Sequence, residues 1–232
     1  MTSTEIKKAP NPFWFYTQLA LRELTGLKAK NLKEFLAVIK AVPGSVIYHH
    51  THHFLRQHQY LTPEPPNDFA YWIRESLGED RLAERLASVD ICAYSSIRSL
   101  REKFIQIIEE YIAKKGARFE EREAQEGEEF HFVKAVSFVI PTGIEAWNLE
   151  EFAEGLKKTT VDSLYYHIFE ARLRLEKPTN DFSSWLENSL GLKELAKAIE
   201  RLDPYTHTMD GLRKHILQLV DKEVKRSRQV HA

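Results

Sequence analysis

Two stretches of this chain are nearly the same text. Residues 67–90 read NDFAYWIRESLGEDRLAERLASVD and residues 180–203 read NDFSSWLENSLGLKELAKAIERLD. They align without a gap and agree at ten of 24 positions, among them Asn67/Asn180, Asp68/Asp181, Phe69/Phe182, Trp72/Trp185 and Gly78/Gly191. Background amino-acid usage would give roughly one or two matches. Self-similarity of this length constrains the architecture before any local pattern does.

The match extends upstream. Thr25–Leu36 pairs with Thr142–Ala153, and Phe13 and Phe15 pair with Phe130 and Phe132. Tyr48-His49 aligns with Tyr166-His167, and Leu55-Arg56 with Leu173-Arg174. The expected organisation is a repeat over residues 13–115, a charged linker over 116–129 and a second repeat over 130–225, packing as one globular unit. A repeat of about a hundred residues buries only a modest core alone. The two copies are therefore expected to meet across a pseudo-twofold axis.

Local pattern makes the fold class mainly α, with one β-strand per repeat pairing at the centre. Phe130, Phe132, Val136, Phe138 and Ile140 recur at even spacing, a strand period, and Pro141-Thr142-Gly143 supplies a stop. Phe13–Leu24 reads as the partner strand, although its pattern also fits a helix. Asn31 and Asn148 stand at N-cap positions, each with a glutamate three residues on. Further helices are expected over Ser45–Gln57 and Ser163–Glu176. Asn67 and Asn180 cap the next pair, which Gly78 and Gly191 end. A long last helix in each copy carries apolar residues at spacings of three and four: Leu100, Phe104, Ile107 and Ile108, then Leu212, Ile216 and Val220.

Five of the ten histidines fall in YHHTHHFLRQH, residues 48–58. On a helix His49, His52, His53 and Arg56 share a face. The corresponding face of the second copy offers His167 and Arg174. Three readings compete. In the first, His49 and His167 are buried residues bonded to Asp68 and Asp181, with Arg56 and Arg174 completing an ion-pair network. The set Tyr48, His49, Arg56 and Asp68, with Tyr166, His167, Arg174 and Asp181, also suits a small anionic ligand. Finally, His49, His52 and His53 with Asp68 could hold Zn or Fe, although an adjacent Arg56 would repel the cation and no HExxH spacing is present. His50 aligns with Ile168 in this pairing and is expected to be dispensable. Phe69, Trp72, Phe182 and Trp185 read as core.

Net charge is −1, with 33 basic and 34 acidic residues interspersed. No basic stripe marks a nucleic-acid partner. No run approaches the roughly twenty apolar residues of a membrane span. A single cysteine, Cys92, allows no intrachain disulfide, and with the lack of a signal-like N-terminus it places the chain in the cytoplasm. No nucleophile faces a base and no phosphate loop is present. The expected role is a non-enzymatic binding or regulatory module, monomer or homodimer, that docks a protein partner or a small anionic ligand without a cofactor. A histidine-cluster metalloprotein or metalloenzyme is the alternative.

The Tyr-His pairs, the NDFAYW and NDFSSW segments and the run ARLRLEKPTNDFSSWL resemble a microbial family, domain of unknown function 5752. The resemblance spans nearly the whole chain. It implies a two-repeat cytoplasmic protein and supplies no catalytic residue, substrate or cofactor.

Overall fold

The computed structural model describes residues 8–57, 67–116, 122–175, 179–202 and 206–230, apart from the side chains of 53–57, 174, 175 and 230. His58, Glu64, His231 and the side chains of His53, Arg56 and Arg174 lie outside the described residues. The fold is mainly helical with one two-stranded antiparallel sheet. In chain order it runs β1 (Phe13–Ala29), α1 (Leu32–Ala41), α2 (Gly44–Gln57), α3 (Asp68–Glu75), α4 (Asp80–Ala87) and α5 (Ile97–Lys115). Then come β2 (Phe130–Ala146), α6 (Leu149–Lys158), α7 (Val161–Tyr165), a π-helical turn Tyr166–Glu170, α8 (Ala171–Leu175), α9 (Asp181–Asn188), α10 (Lys193–Glu200) and α11 (Met209–Val230).

The cap residues act as the sequence predicts. Asn31 and Asn148 accept from the backbone N–H of Glu34 and Glu151, and Glu34 and Glu151 reach back to the N–H of Lys30 and Trp147. Asn67 and Asn180 accept from Ala70 and Ser183. Each satisfies amides that the first helical turn leaves without an intrahelical partner. Gly78 and Gly191 sit at φ 61° and 70° just past α3 and α9, where a side chain would be strained.

The strand reading of Phe13–Leu24 holds, but the stop at Pro141-Thr142-Gly143 does not. Both strands are 17 residues long and run through their Thr-Gly pairs. Gly26 and Gly143 have φ of 76° and 77°, the left-handed backbone of a glycine bulge. The threonine before each repairs the ladder. Thr25 Oγ1 donates to Phe132 O and accepts from Leu27 N–H. Thr142 Oγ1 donates to Phe15 O and accepts from Ile144 N–H. A turn signal inside a strand is thus absorbed because a side chain takes over the backbone's hydrogen bonds.

The described residues divide into two compact units. One gathers those through Leu19 and from Phe138 onward, the other those from Ala20 to Ser137. The strand starts are therefore exchanged relative to the sequence copies. Phe130 and Phe132 fill the core under α1 and α3, and Phe13 and Phe15 fill the core under α6 and α9. In one unit Phe35 packs against Phe69, Trp72, Phe130 and Phe132 at centroid distances of 5.2–5.7 Å. In the other, Phe152 packs against Phe13, Phe15, Phe182 and Trp185 at 5.2–5.7 Å. Each such ring buries apolar area worth about 1.5–3 kcal/mol, with edge-to-face and stacked pairing adding to it. Both tryptophans are buried, as expected. Their indole N–H groups hold the chain just before each strand, Trp72 donating to Glu128 O and Trp185 to Asn11 O.

The described end of the charged linker is fastened to its unit. Arg122 donates to the carbonyls of Leu77 and Gly78, and Ala124 N–H donates to Lys30 O.

Candidate functional site

Of the polar set expected around the histidine helix, the described residues bring together one histidine–aspartate pair in each copy. In the first copy it is His50, not His49, that meets the aspartate: His50 Nδ1 lies 2.8 Å from Asp68 Oδ2. The other ring nitrogen, Nε2, accepts from Val133 N–H at 3.0 Å. In the second copy His167 Nδ1 lies 2.7 Å from Asp181 Oδ2, and His167 Nε2 accepts from Tyr16 N–H at 2.8 Å. A ring nitrogen that accepts from a backbone N–H carries no proton. Each imidazole is therefore the Nδ1–H tautomer, donating to its aspartate. The ring occupies the place that a neighbouring strand's carbonyl would take along the outer edge of β1 or β2.

The pairing of Tyr48-His49 with Tyr166-His167 is one residue out, for a physical reason. His50 and His167 are related by the same offset as Asn31 and Asn148, or Phe13 and Phe130. The second copy holds one extra residue, which enters after the histidine. A π turn widens the hydrogen-bonded ring by one residue, and Tyr166–Glu170 is such a turn. The helix expected over Ser163–Glu176 is accordingly broken into α7, the π turn and α8. Tyr165 and Tyr166 are thus the counterparts of Tyr48 and His49, and His50 takes the place expected of His49.

The other predicted residues take separate places. Tyr48 stacks on His52 at 5.1 Å with planes 13° apart. Thr51 Oγ1 donates to Ile47 O at 2.7 Å, which leaves it to accept from His52 Nδ1 at 2.8 Å. Burial pushes His52 down from 6.5 to about 4. Tyr166 is buried, with its ring 6.4 Å from that of Tyr16. His49 is buried with its ring 4.9 Å from that of His50. Among the described residues, His49, His50 and Asp68 can bring one ligand atom each within 4.8 Å of one another. Cys92 is buried.

One charged cluster was not visible in the repeat. Glu79, buried between α3 and α4, accepts from Tyr111 Oη and from Lys115 Nζ, the latter at 2.8 and 3.0 Å. Burial works against its charge, yet the bonds from Lys115 and Tyr111 and the charges of Lys115 and Arg122 hold its carboxyl below the usual range. Burial and the facing Glu79 carboxylate push the Tyr111 hydroxyl up. Leu192 occupies the matching helix entrance in the second copy, with a similar backbone, so this cluster has no duplicate.

A second feature the sequence reading missed lies on the strands. Among the described residues nine large apolar side chains are exposed, and eight of them belong to β1 and β2. In one unit these are Trp14, Leu19, Phe138, Val139 and Ile140; in the other they are Leu21, Leu24 and Leu27. Alternate positions of a strand share a face. The row that buries Phe13 and Phe15 continues to Leu19, and the row that buries Phe130 and Phe132 continues to Phe138 and Ile140. Each apolar row begins in a core and ends in the open.

These features define a class before they define a family: a mainly helical protein whose two strands are held at their outer edges by buried histidines, each bonded to an aspartate. The chain belongs to the family of unknown function DUF5752, whose model matches residues 10–221. It is similar to a solved structure, OrfY from Thermoproteus tenax, at 30% identity and a TM-score of 0.78, covering 93% of this chain and 96% of that one. No curated protein matches it. Among the described residues no helix is long and apolar enough to cross a membrane.

Proposed function

We propose that this chain is a non-enzymatic binding or regulatory module, built by tandem duplication, that docks an apolar surface of a protein partner on its strands. The observation that carries this is the exposure of Leu19, Phe138 and Ile140 where the two buried rows run into the open in a single unit, with Trp14 and Val139 exposed at the alternate positions. Within Phe13–Leu19 and Phe138–Ala146 the only charged residue is Glu145. Strand edges are ordinarily guarded by lysine and other charges, and an apolar stretch without them suits β-strand addition or a hydrophobic contact. A charged ligand would find little to steer it there. The histidine–aspartate pairs support the same reading, because both ring nitrogens of His50 and His167 are already bonded within the fold. The single cysteine supports a cytoplasmic setting.

The test is co-purification from the native host with Leu19→Lys/Phe138→Lys protein, alongside Tyr71→Lys as a surface control. A discrete partner should accompany the wild type and the control and be lost from the double variant. Self-association that the double variant abolishes would make a second copy the occupant. Equal recovery by all three proteins would sink the proposal.

A second reading rests on His49, His50 and Asp68, whose ligand atoms gather within 4.8 Å. A metal there would have to displace the proton on His50 Nδ1. That reading requires a stoichiometric transition metal in protein purified without a tag, lost on His49→Ala.

A further inference from the structure

A different histidine pair has the spacing of a metal chelate. His207 precedes α11 and His215 lies two turns into it. His215 Nδ1 faces His207 Nε2 at 3.3 Å, with ring centroids 5.3 Å apart. Both rings are partly exposed, so an ion from solvent can reach them. On the far side of the first ring, His207 Nδ1 lies 2.9 Å from Thr206 Oγ1, a contact that fixes the ring's orientation as outer partners of metal-bound histidines do. Thr208 caps the helix, its hydroxyl accepting from Gly211 N–H. The backbone between the two histidines is thereby set by the helix itself.

The distance suits a tetrahedral ion. Two imidazole nitrogens on a tetrahedral ion, each about 2.0–2.1 Å from it, stand about 3.3–3.4 Å apart. Cis ligands of a square-planar ion at a similar bond length stand about 2.8–2.9 Å apart. We infer that His207 and His215 form a two-histidine site for a tetrahedral divalent transition ion, Zn2+ in the first instance, with water completing the coordination. Binding puts the metal in place of the proton that the facing nitrogens share in the neutral pair, and that proton moves to the other nitrogen of its own ring, so both imidazoles bind as neutral ligands. The ion would tie the segment entering α11 to the body of the helix.

Zn2+ is added to tag-free full-length protein and the melting temperature is followed, with Mg2+ as a control. At a hundredfold excess over its Kd, Zn2+ should raise the melting temperature by about 5–10 °C, and Mg2+ should not. The rise should vanish in His207→Ala and in His215→Ala and persist in His49→Ala. Co2+ added to the wild type gives a readout independent of how the variants fold: the intense visible bands of a tetrahedral ion should appear and be displaced by Zn2+. No rise in the wild type, or a rise that survives in both His207→Ala and His215→Ala, overturns the inference in favour of a simple imidazole–imidazole hydrogen bond. Loss of the rise in His49→Ala overturns it as well, in favour of the other histidine cluster.

Discussion

His167→Ala should destabilise the protein by about 3–5 kcal/mol, the range expected when one partner of a buried charge-bearing pair is removed. Three losses combine. Asp181, with its side chain 16% exposed, is left without the Nδ1–H donor. Tyr16 N–H loses its acceptor, and a buried unsatisfied donor costs about 1–3 kcal/mol. The ring also leaves a gap against Phe13, whose centroid is 4.9 Å away, and cavities of this kind add to the cost. His50→Ala should cost less, about 2–3 kcal/mol, because Asp68 is 50% exposed and water can replace part of what it loses. His167→Phe separates the terms: it keeps much of the packing and still removes both hydrogen bonds of the ring. Urea denaturation at neutral pH measures all three variants. A His167→Ala protein within about 0.5 kcal/mol of wild type, the scatter of ordinary surface changes, would mean that the strand edge is not held by this ring.

Acid should weaken the fold through His52. Its folded value of about 4 lies below its ordinary 6.5, so the unfolded chain takes up a proton in this window that the folded chain refuses. Stability is then fully present above pH 6.5 and falls as the pH drops toward 4, by up to about 3 kcal/mol from this group alone. Below that the histidine contributes no further slope. Glu79 acts in the same direction at lower pH, since its carboxyl is held below the usual range and its contribution is lost only as it finally protonates. A loss of this size is a large share of a typical folding free energy of 5–15 kcal/mol. His52→Gln should flatten the stability profile between pH 6.5 and 4 while leaving the lower-pH loss in place. An unchanged slope in that variant would assign the acid sensitivity elsewhere.

How much was readable in advance depended on whether the signal was local. The caps at Asn31, Asn148, Asn67 and Asn180 and the glycine stops at Gly78 and Gly191 were legible because a cap is fixed by a few adjacent residues. The buried roles of Phe69, Trp72, Phe182 and Trp185 followed from helical spacing. The strand continuing through Thr142-Gly143 was not legible, because a turn dipeptide and a bulge share the same chemistry until the threonine's partner across the sheet is known. His50 is masked in the sequence for a structural reason: the π turn hides a one-residue insertion, and the repeated Tyr-His dipeptide favours the register that pairs His49 with His167. Carrying the Phe13–Asn31 offset forward would have selected His50. The exchange of strand starts was not readable from the sequence self-similarity, since the matching pairs Phe13/Phe15 and Phe130/Phe132 present the same apolar row to either core. Glu79 carries no signal in the self-similarity, because its counterpart is Leu192.

His50 and His167 are either pins of the fold or groups available to a ligand. Nitrogen-15 NMR of the imidazole rings decides this directly, since the two neutral tautomers and the doubly protonated ring have distinct shifts. At pH 7 both His50 and His167 should be Nδ1–H tautomers, with Nε2 bearing no proton and coupled across a hydrogen bond to the amides of Val133 and Tyr16. An Nε2–H tautomer or a doubly protonated ring at either position would contradict the account.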